Sequence, residues 1–120
     1  MRILYLTLLF FMLSSICMAQ RHTTLINQSS LQDLQESGTL HIIDVRTEEE
    51  FAKGFIKGAI NIDFWDPEFE SRVLNGYNKK DKILIYCAGG GRSAMACEKL
   101  SKNGFKNLFD LDGGYESIIR

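Results

Sequence analysis

The residues best suited to chemistry lie together in Tyr86-Cys87-Ala88-Gly89-Gly90-Gly91-Arg92-Ser93. An apolar run, Lys82-Ile83-Leu84-Ile85, precedes them, and a helix-like run, Ser93 to Leu100, follows. A strand, a glycine loop and a helix in that order put Cys87 at the floor of a ring of backbone N–H groups, an arrangement that holds anions. Two features favour the thiolate there: the positive end of the following helix and the guanidinium of Arg92. Three consecutive glycines leave no side chains to crowd the sulfur, and they let successive amides converge on one point. An ordinary strand-to-helix turn around an inert cysteine needs neither the glycines nor the arginine. Cys87 is therefore the candidate nucleophile, and Ala88, Gly89, Gly90, Gly91 and Ser93 form the candidate binding loop.

At 120 residues the chain has room for one domain and one core. Its 14 basic and 15 acidic residues give a formal charge of −1, with no run of cations to attract nucleic acid or an anionic membrane surface. The two histidines, His22 and His41, are far apart and unmatched by other ligands, so neither a metal site nor a Cys-His dyad is expected. No cofactor is called for, and activation of Cys87 must come from its loop.

The N-terminus reads as a secretory signal: Met1-Arg2, an apolar stretch from Ile3 to Leu13, then small residues at both recognition positions of Cys17-Met18-Ala19. Cleavage between Ala19 and Gln20 is expected, leaving 20–120 as the domain, with no stable membrane span, in an oxidising compartment expected to be the periplasm. An uncleaved anchor is the alternative, because Ile3 to Ala19 reaches only the lower edge of a spanning length. Lipid attachment at Cys17 is disfavoured by Ile16, where a small residue is expected. Of three cysteines, Cys87 and Cys97 would remain. They are not expected to pair, because Ala94, Cys97 and Leu100 follow helical spacing toward a core.

The elements that must carry the loop can be read in order. Residues 21–28 carry no clear signal. Ser29 or Ser30 caps a helix through Leu31 and Leu34 that Gly38 ends. Thr39 to Val45 is a buried strand, with Asp44 and Arg46 at its C-terminal end, where open α/β sheets place their sites. Thr47 and Glu50 form a capping box for a short helix stopping at Gly54, and Ile56 to Ile62 is extended. Asp66-Pro67 opens a helix closed by Asn75-Gly76. The strand Ile83 to Tyr86 then delivers Cys87, and the helix after the loop ends at Asn103-Gly104, before a last strand, Asn107 to Leu111. Alternating strands and helices predict an α/β fold with a parallel sheet covered on both faces.

From about Leu40 to Gly114 the sequence resembles a single rhodanese domain. The matching segments are Ile43-Asp44-Val45-Arg46, Glu50-Phe51, Gly54, Ile56, Gly58 to Ile62, Tyr86-Cys87 with Gly90, Arg92 and Ser93, Gly104-Phe105, and Leu111-Asp112-Gly113-Gly114. The resemblance implies a three-layer α/β/α domain with a mostly parallel five-stranded sheet. It also implies sulfurtransferase chemistry through a persulfide on Cys87, with a small sulfur donor such as thiosulfate and a thiol or cyanide as acceptor. With its export signal, the chain is also similar to the small periplasmic rhodaneses of the phage-shock type. Phe55 stands where the family commonly has His, and Ile118 where a Trp is common.

Several roles stay open. Arg92 either contacts the transferred group or braces the loop through carbonyls or an acidic partner such as Asp44. Arg46 is expected to pair with Glu50 or Asp44. Trp65 and Phe64 either pack in the core or wall the pocket. Cysteine phosphatases place five residues between Cys and Arg; Ala88 to Gly91 supply four, a smaller ring matched to sulfur. A persulfide carrier that docks a protein thiol is a second functional reading, since no lysine or arginine lies between Cys87 and Arg92.

Overall fold

The computed structural model describes residues 22–120. The expected signal at 1–19, its cleavage point and Cys17 lie outside the described residues.

Five strands form one sheet: β1 (Thr23–Ile26), β2 (Leu40–Asp44), β3 (Ala59–Asn61), β4 (Lys82–Tyr86) and β5 (Leu108–Leu111). Their order is β1-β5-β4-β2-β3, and every neighbouring pair is parallel. The helices are α1 (Gln28–Glu36), α2 (Glu48–Ala52), α3 (Phe69–Gly76) and α4 (Gly91–Lys102), with a 3₁₀ turn at Tyr115–Ser117.

Strand alternation builds two cores. Ile83, Ile85 and Cys87 point to one face, where Phe69 and Val73 of α3 and Ala96, Cys97 and Leu100 of α4 cover them. Leu84 and Tyr86 point to the other, against Ile26, Leu31 of α1, Ile56 and Leu111. The central strand β4 is buried on both sides, which explains its unbroken apolar run. This is the expected three-layer α/β/α arrangement.

From β2 the chain leads outward to β3, and from β4 it leads the other way to β5. The connections therefore diverge between β2 and β4, leaving a crevice at the C-terminal ends of those strands. Cys87 follows β4 directly, at that crevice.

Three local readings need correction. Residues 21–28, read as featureless, contain β1. It is a four-residue edge strand with only Ile26 buried, so it shows neither clean alternation nor an apolar run. Helix α1 is capped by Asn27, whose side chain accepts from Ser30 N at 2.9 Å, rather than by Ser29 or Ser30. Helix α3 begins at Phe69 and not at Asp66-Pro67: Asp66 accepts from Glu68 N through Oδ1 and from Phe69 N through its carbonyl, forming a separate turn before the helix. The capping box of α2 is present as expected, with Thr47 and Glu50 satisfying each other's backbone.

Candidate active site

The loop from Cys87 to Ser93 is shaped from both ends. At its far end Gly90 is the N-cap of α4, with φ of 114°, in the left-handed region that favours glycine. That turn aims the Gly90 N–H at Cys87 Sγ, 3.0 Å away. The Cys87 S–H reaches Ser93 Oγ at 3.5 Å, and Ser93 Oγ donates to the Gly90 carbonyl at 3.1 Å. Ser93 is fully buried, so its hydroxyl is committed to the loop.

At the near end the carbonyls of Cys87 and Ala88 are turned away from the sulfur. They accept from Tyr115 N at 2.8 Å and Glu116 N at 3.0 Å. Because a peptide unit is planar and trans, turning these carbonyls outward turns the amides of Ala88 and Gly89 the opposite way. Among the described residues, the amides of Ala88, Gly89, Gly91, Arg92 and Ser93 find no acceptor. Those of Gly91, Arg92 and Ser93 are the unsatisfied first-turn donors of α4, which carry its positive end. Of the candidate loop residues, Gly90 and Ser93 touch the sulfur, at 3.0 and 3.5 Å.

The close approach of the C-terminal turn depends on Gly114. A Cβ there would lie 2.5 Å from both the Cys87 and the Ala88 carbonyl oxygen. In the sequence Gly113-Gly114 stands out only as part of the family-like segment, because the partner of this contact lies far away in the chain, at the end of β4.

Arg92 is held by Glu50 and not by Asp44. Its two terminal nitrogens meet Glu50 Oε1 at 2.7 Å and Oε2 at 3.0 Å, a bidentate pair. Asp44 is unavailable because it is completely buried and fully engaged by Arg46. Arg46 Nε lies 3.0 Å from both carboxylate oxygens, its Nη2 lies 2.7 Å from Oδ2, and Arg46 N donates to Oδ1 at 2.9 Å. Arg46 also donates to the Gly54 carbonyl and stacks over Tyr115, its guanidinium carbon 4.3 Å from the ring centre. The Asp44–Arg46 pair is therefore not brought to the sulfur. It lies on the Tyr86 face and supports the turn whose amides hold the Cys87 loop.

Glu50, expected from the sequence to cap α2 and to be one of two possible partners of Arg46, joins α2 to the loop through Arg92 instead. Arg92 and the Thr47 cap hold its carboxyl down to about 2, against 4.5 for an ordinary glutamate. A lowered value in the folded state means that the pair stabilises the fold above the ordinary range and that this contribution fades as pH falls through about 2. Denaturation midpoints followed from pH 5 to pH 2 should fall less steeply for Glu50→Gln than for the unaltered protein. Parallel profiles would show that the pair contributes nothing. The effect should be modest, because the Glu50 side chain is 34% exposed.

The second thiol is of a different kind. Cys97 is 2% exposed in the apolar layer under α4, and burial pushes its thiol well above the ordinary range. Cys87 and Cys97 are both free, as expected. Of the two aromatics left open, Phe64 packs against the core while Trp65 is 63% exposed, stacked edge-on to Phe64. Phe55 lies flat on Phe51 at 4.1 Å, a surface stack in place of the family's histidine. Ile118 packs against the core on the Tyr86 face.

Known proteins place this arrangement in a family. The model for the rhodanese-like domain matches residues 27–120. Thiosulfate sulfurtransferase 16 of Arabidopsis thaliana is 36% identical over 84 residues, covering 62% of this chain and 70% of its own. A putative sulfur carrier protein of Bacillus subtilis, YrkF, is 37% identical over 83 residues, covering 69% of this chain and 43% of its own. The chain spans about half the length of several of the curated relatives it matches. Among solved structures, a rhodanese-like domain protein from Staphylococcus aureus superposes with a TM-score of 0.69 at 37% identity, over 78% of this chain and 89% of that one. With its five-stranded parallel sheet, a cysteine at the end of the central strand and a glycine loop opening the next helix, the chain belongs to the rhodanese-like domain family, whose members include sulfurtransferases and sulfur carriers.

Proposed function

We propose that this protein is an exported sulfurtransferase that carries a sulfane sulfur as a persulfide on Cys87. The observation that carries this reading is the Gly90 N–H donating to Cys87 Sγ at 3.0 Å, in a loop whose other amides, Ala88, Gly89, Gly91, Arg92 and Ser93, find no acceptor among the described residues. The thiolate of Cys87 attacks the outer sulfur of a donor such as thiosulfate. A Cys87 S–S bond forms, the donor's S–S bond breaks, and sulfite leaves with the electron pair. The outer sulfur of the persulfide then bears the negative charge, and the amides of Ala88 to Ser93 stabilise it as an oxyanion hole stabilises developing charge. Cyanide or a thiolate takes that sulfur and returns the Cys87 thiolate. Arg92, tied to Glu50, fixes the start of α4 rather than binding donor.

A second reading is a carrier that exchanges sulfur with a protein thiol and turns over free thiosulfate poorly. It is favoured by the charge at the loop: Ala88 to Gly91 offer no cation, and the Arg92 charge is taken by Glu50. A dianionic donor gains little from such a mouth. Export rests on the sequence of residues 1–19.

Discharge of sulfur-loaded protein separates the readings. An enzyme acting on small molecules should transfer its sulfur to cyanide repeatedly, with thiosulfate consumed in step. Loading followed by slow discharge to cyanide and fast discharge to a protein thiol would establish the carrier.

A further inference from the structure

Behind the loop lies a carboxyl group that the scheme above does not use. Asp110 on β5 sits beside Ile85 in register and, by strand alternation, shares with Leu108 the face covered by α4. Asp110 is 6% exposed, and its Oδ1 has no hydrogen-bond partner among the described residues. The groups near it are the Ser93 hydroxyl and Cys97 thiol of α4 and the carboxylate of Asp112 beyond its own strand, with Thr23 of β1 beside Cys97. No cation is among them.

We infer that Asp110 is a positioning residue which keeps its proton and, through Ser93, determines how well the Cys87 sulfur bears negative charge. The inference rests on Cys87 being the reactive sulfur. Ser93 has one hydroxyl proton and can point it one way at a time. In the resting thiol, Cys87 S–H donates to Ser93 Oγ, and Ser93 donates to the Gly90 carbonyl. Once the thiol proton has left to solvent, the sulfur is an acceptor, and Ser93 must turn its proton toward it. A protonated Asp110 then donates to the vacated Ser93 oxygen and holds that orientation. An ionised Asp110 does the reverse, since it competes for the same Ser93 proton and repels the sulfur charge.

Burial favours the protonated form, and so does the neighbouring Asp112 charge; both raise Asp110 above the ordinary range, although its contact with Ser93 opposes them. The orphaned oxygen points the same way, because an ionised carboxylate with one oxygen unsatisfied in a buried site is costly.

The test is the rate at which iodoacetamide alkylates Cys87, followed by intact mass from pH 5 to pH 9 on the full chain. Cys97, buried and held protonated, does not compete. Asp110→Asn keeps a neutral donor and should match the unaltered protein at low pH, then exceed it at high pH, where only the native carboxyl ionises. Asp110→Leu removes the donor and should react about tenfold more slowly near neutrality, the scale of one hydrogen bond to a charged group. In a Ser93→Ala background, Asn and Leu at 110 should be indistinguishable. Equal rates for Asp110→Leu and the unaltered protein at every pH, or a Leu effect that survives in Ser93→Ala, would overturn the role of Asp110 alone. Absence of Cys87 labelling in all variants, the unaltered protein included, would overturn the nucleophile assignment and this inference with it.

Discussion

Asp44→Ala is expected to lower the unfolding free energy by about 3–5 kcal/mol, the usual cost of stranding one partner of a buried ion pair. Arg46 is 4% exposed, and four of its hydrogen bonds end on the Asp44 carboxylate. Without that carboxylate its charge keeps the Gly54 carbonyl and the Tyr115 and Tyr86 rings, none of which carries a compensating charge. Against a typical total of about 5–15 kcal/mol, such a loss is visible in any denaturation curve. A double variant, Asp44→Leu with Arg46→Met, should recover most of it, because a buried pair replaced by apolar residues of similar volume is often neutral or better. A loss below about 1 kcal/mol for Asp44→Ala would contradict this reading, since that is the scale of an exposed pair.

Gly114→Ala is expected to disable the site while leaving the sheet in place. The new methyl would have to displace two backbone carbonyls that it meets at 2.5 Å, in a residue whose φ of 62° already disfavours a side chain. Backbone cannot swing aside as a flexible side chain can. The C-terminal turn must move off the loop, breaking the bonds from Tyr115 N and Glu116 N to the Cys87 and Ala88 carbonyls. Overpacking and lost bonds together should cost about 2–4 kcal/mol. Sulfur loading should fall at least about tenfold, because the amides that those carbonyls orient would no longer face the sulfur. Gly113→Ala is the control: its Cβ would meet the Ser117 side chain at 3.1 Å and no backbone, so the effect on loading should be smaller. Equal loading by Gly114→Ala and the unaltered protein would mean that the tail does not shape the loop.

The central part of this architecture was legible because its signals are local. β4 is an apolar run buried on both faces, β2 carries the β-branched pair Ile42-Ile43 into the core, Thr47 and Glu50 sit at capping-box spacing, and the glycine loop lies between a strand and a helix in one continuous stretch. What escaped is non-local. β1 exists only because β5 offers it an edge, and nothing in Thr23-Thr24-Leu25-Ile26 announces that pairing. For Arg92 the sequence offers the transferred group, carbonyls or an acidic partner such as Asp44, and only the fold shows that Arg46 has already taken Asp44 and that Glu50 is the partner. Gly114 and Asp110 act on the loop from the far end of the chain. A buried aspartate in a short strand is the one sequence-level oddity that could have drawn attention to it, since Asp is rarely fully buried without a partner.

The central claim is that Cys87 carries the transferred sulfur. The most direct measurement is the intact mass of the protein after incubation with thiosulfate, for the unaltered chain and for Cys87→Ser. The account expects a gain of one sulfur atom that is absent in Cys87→Ser and is removed by cyanide. Failure to load sulfur under any donor, with hydrolysis of an aryl phosphate instead, or loading that persists in Cys87→Ser, would contradict it.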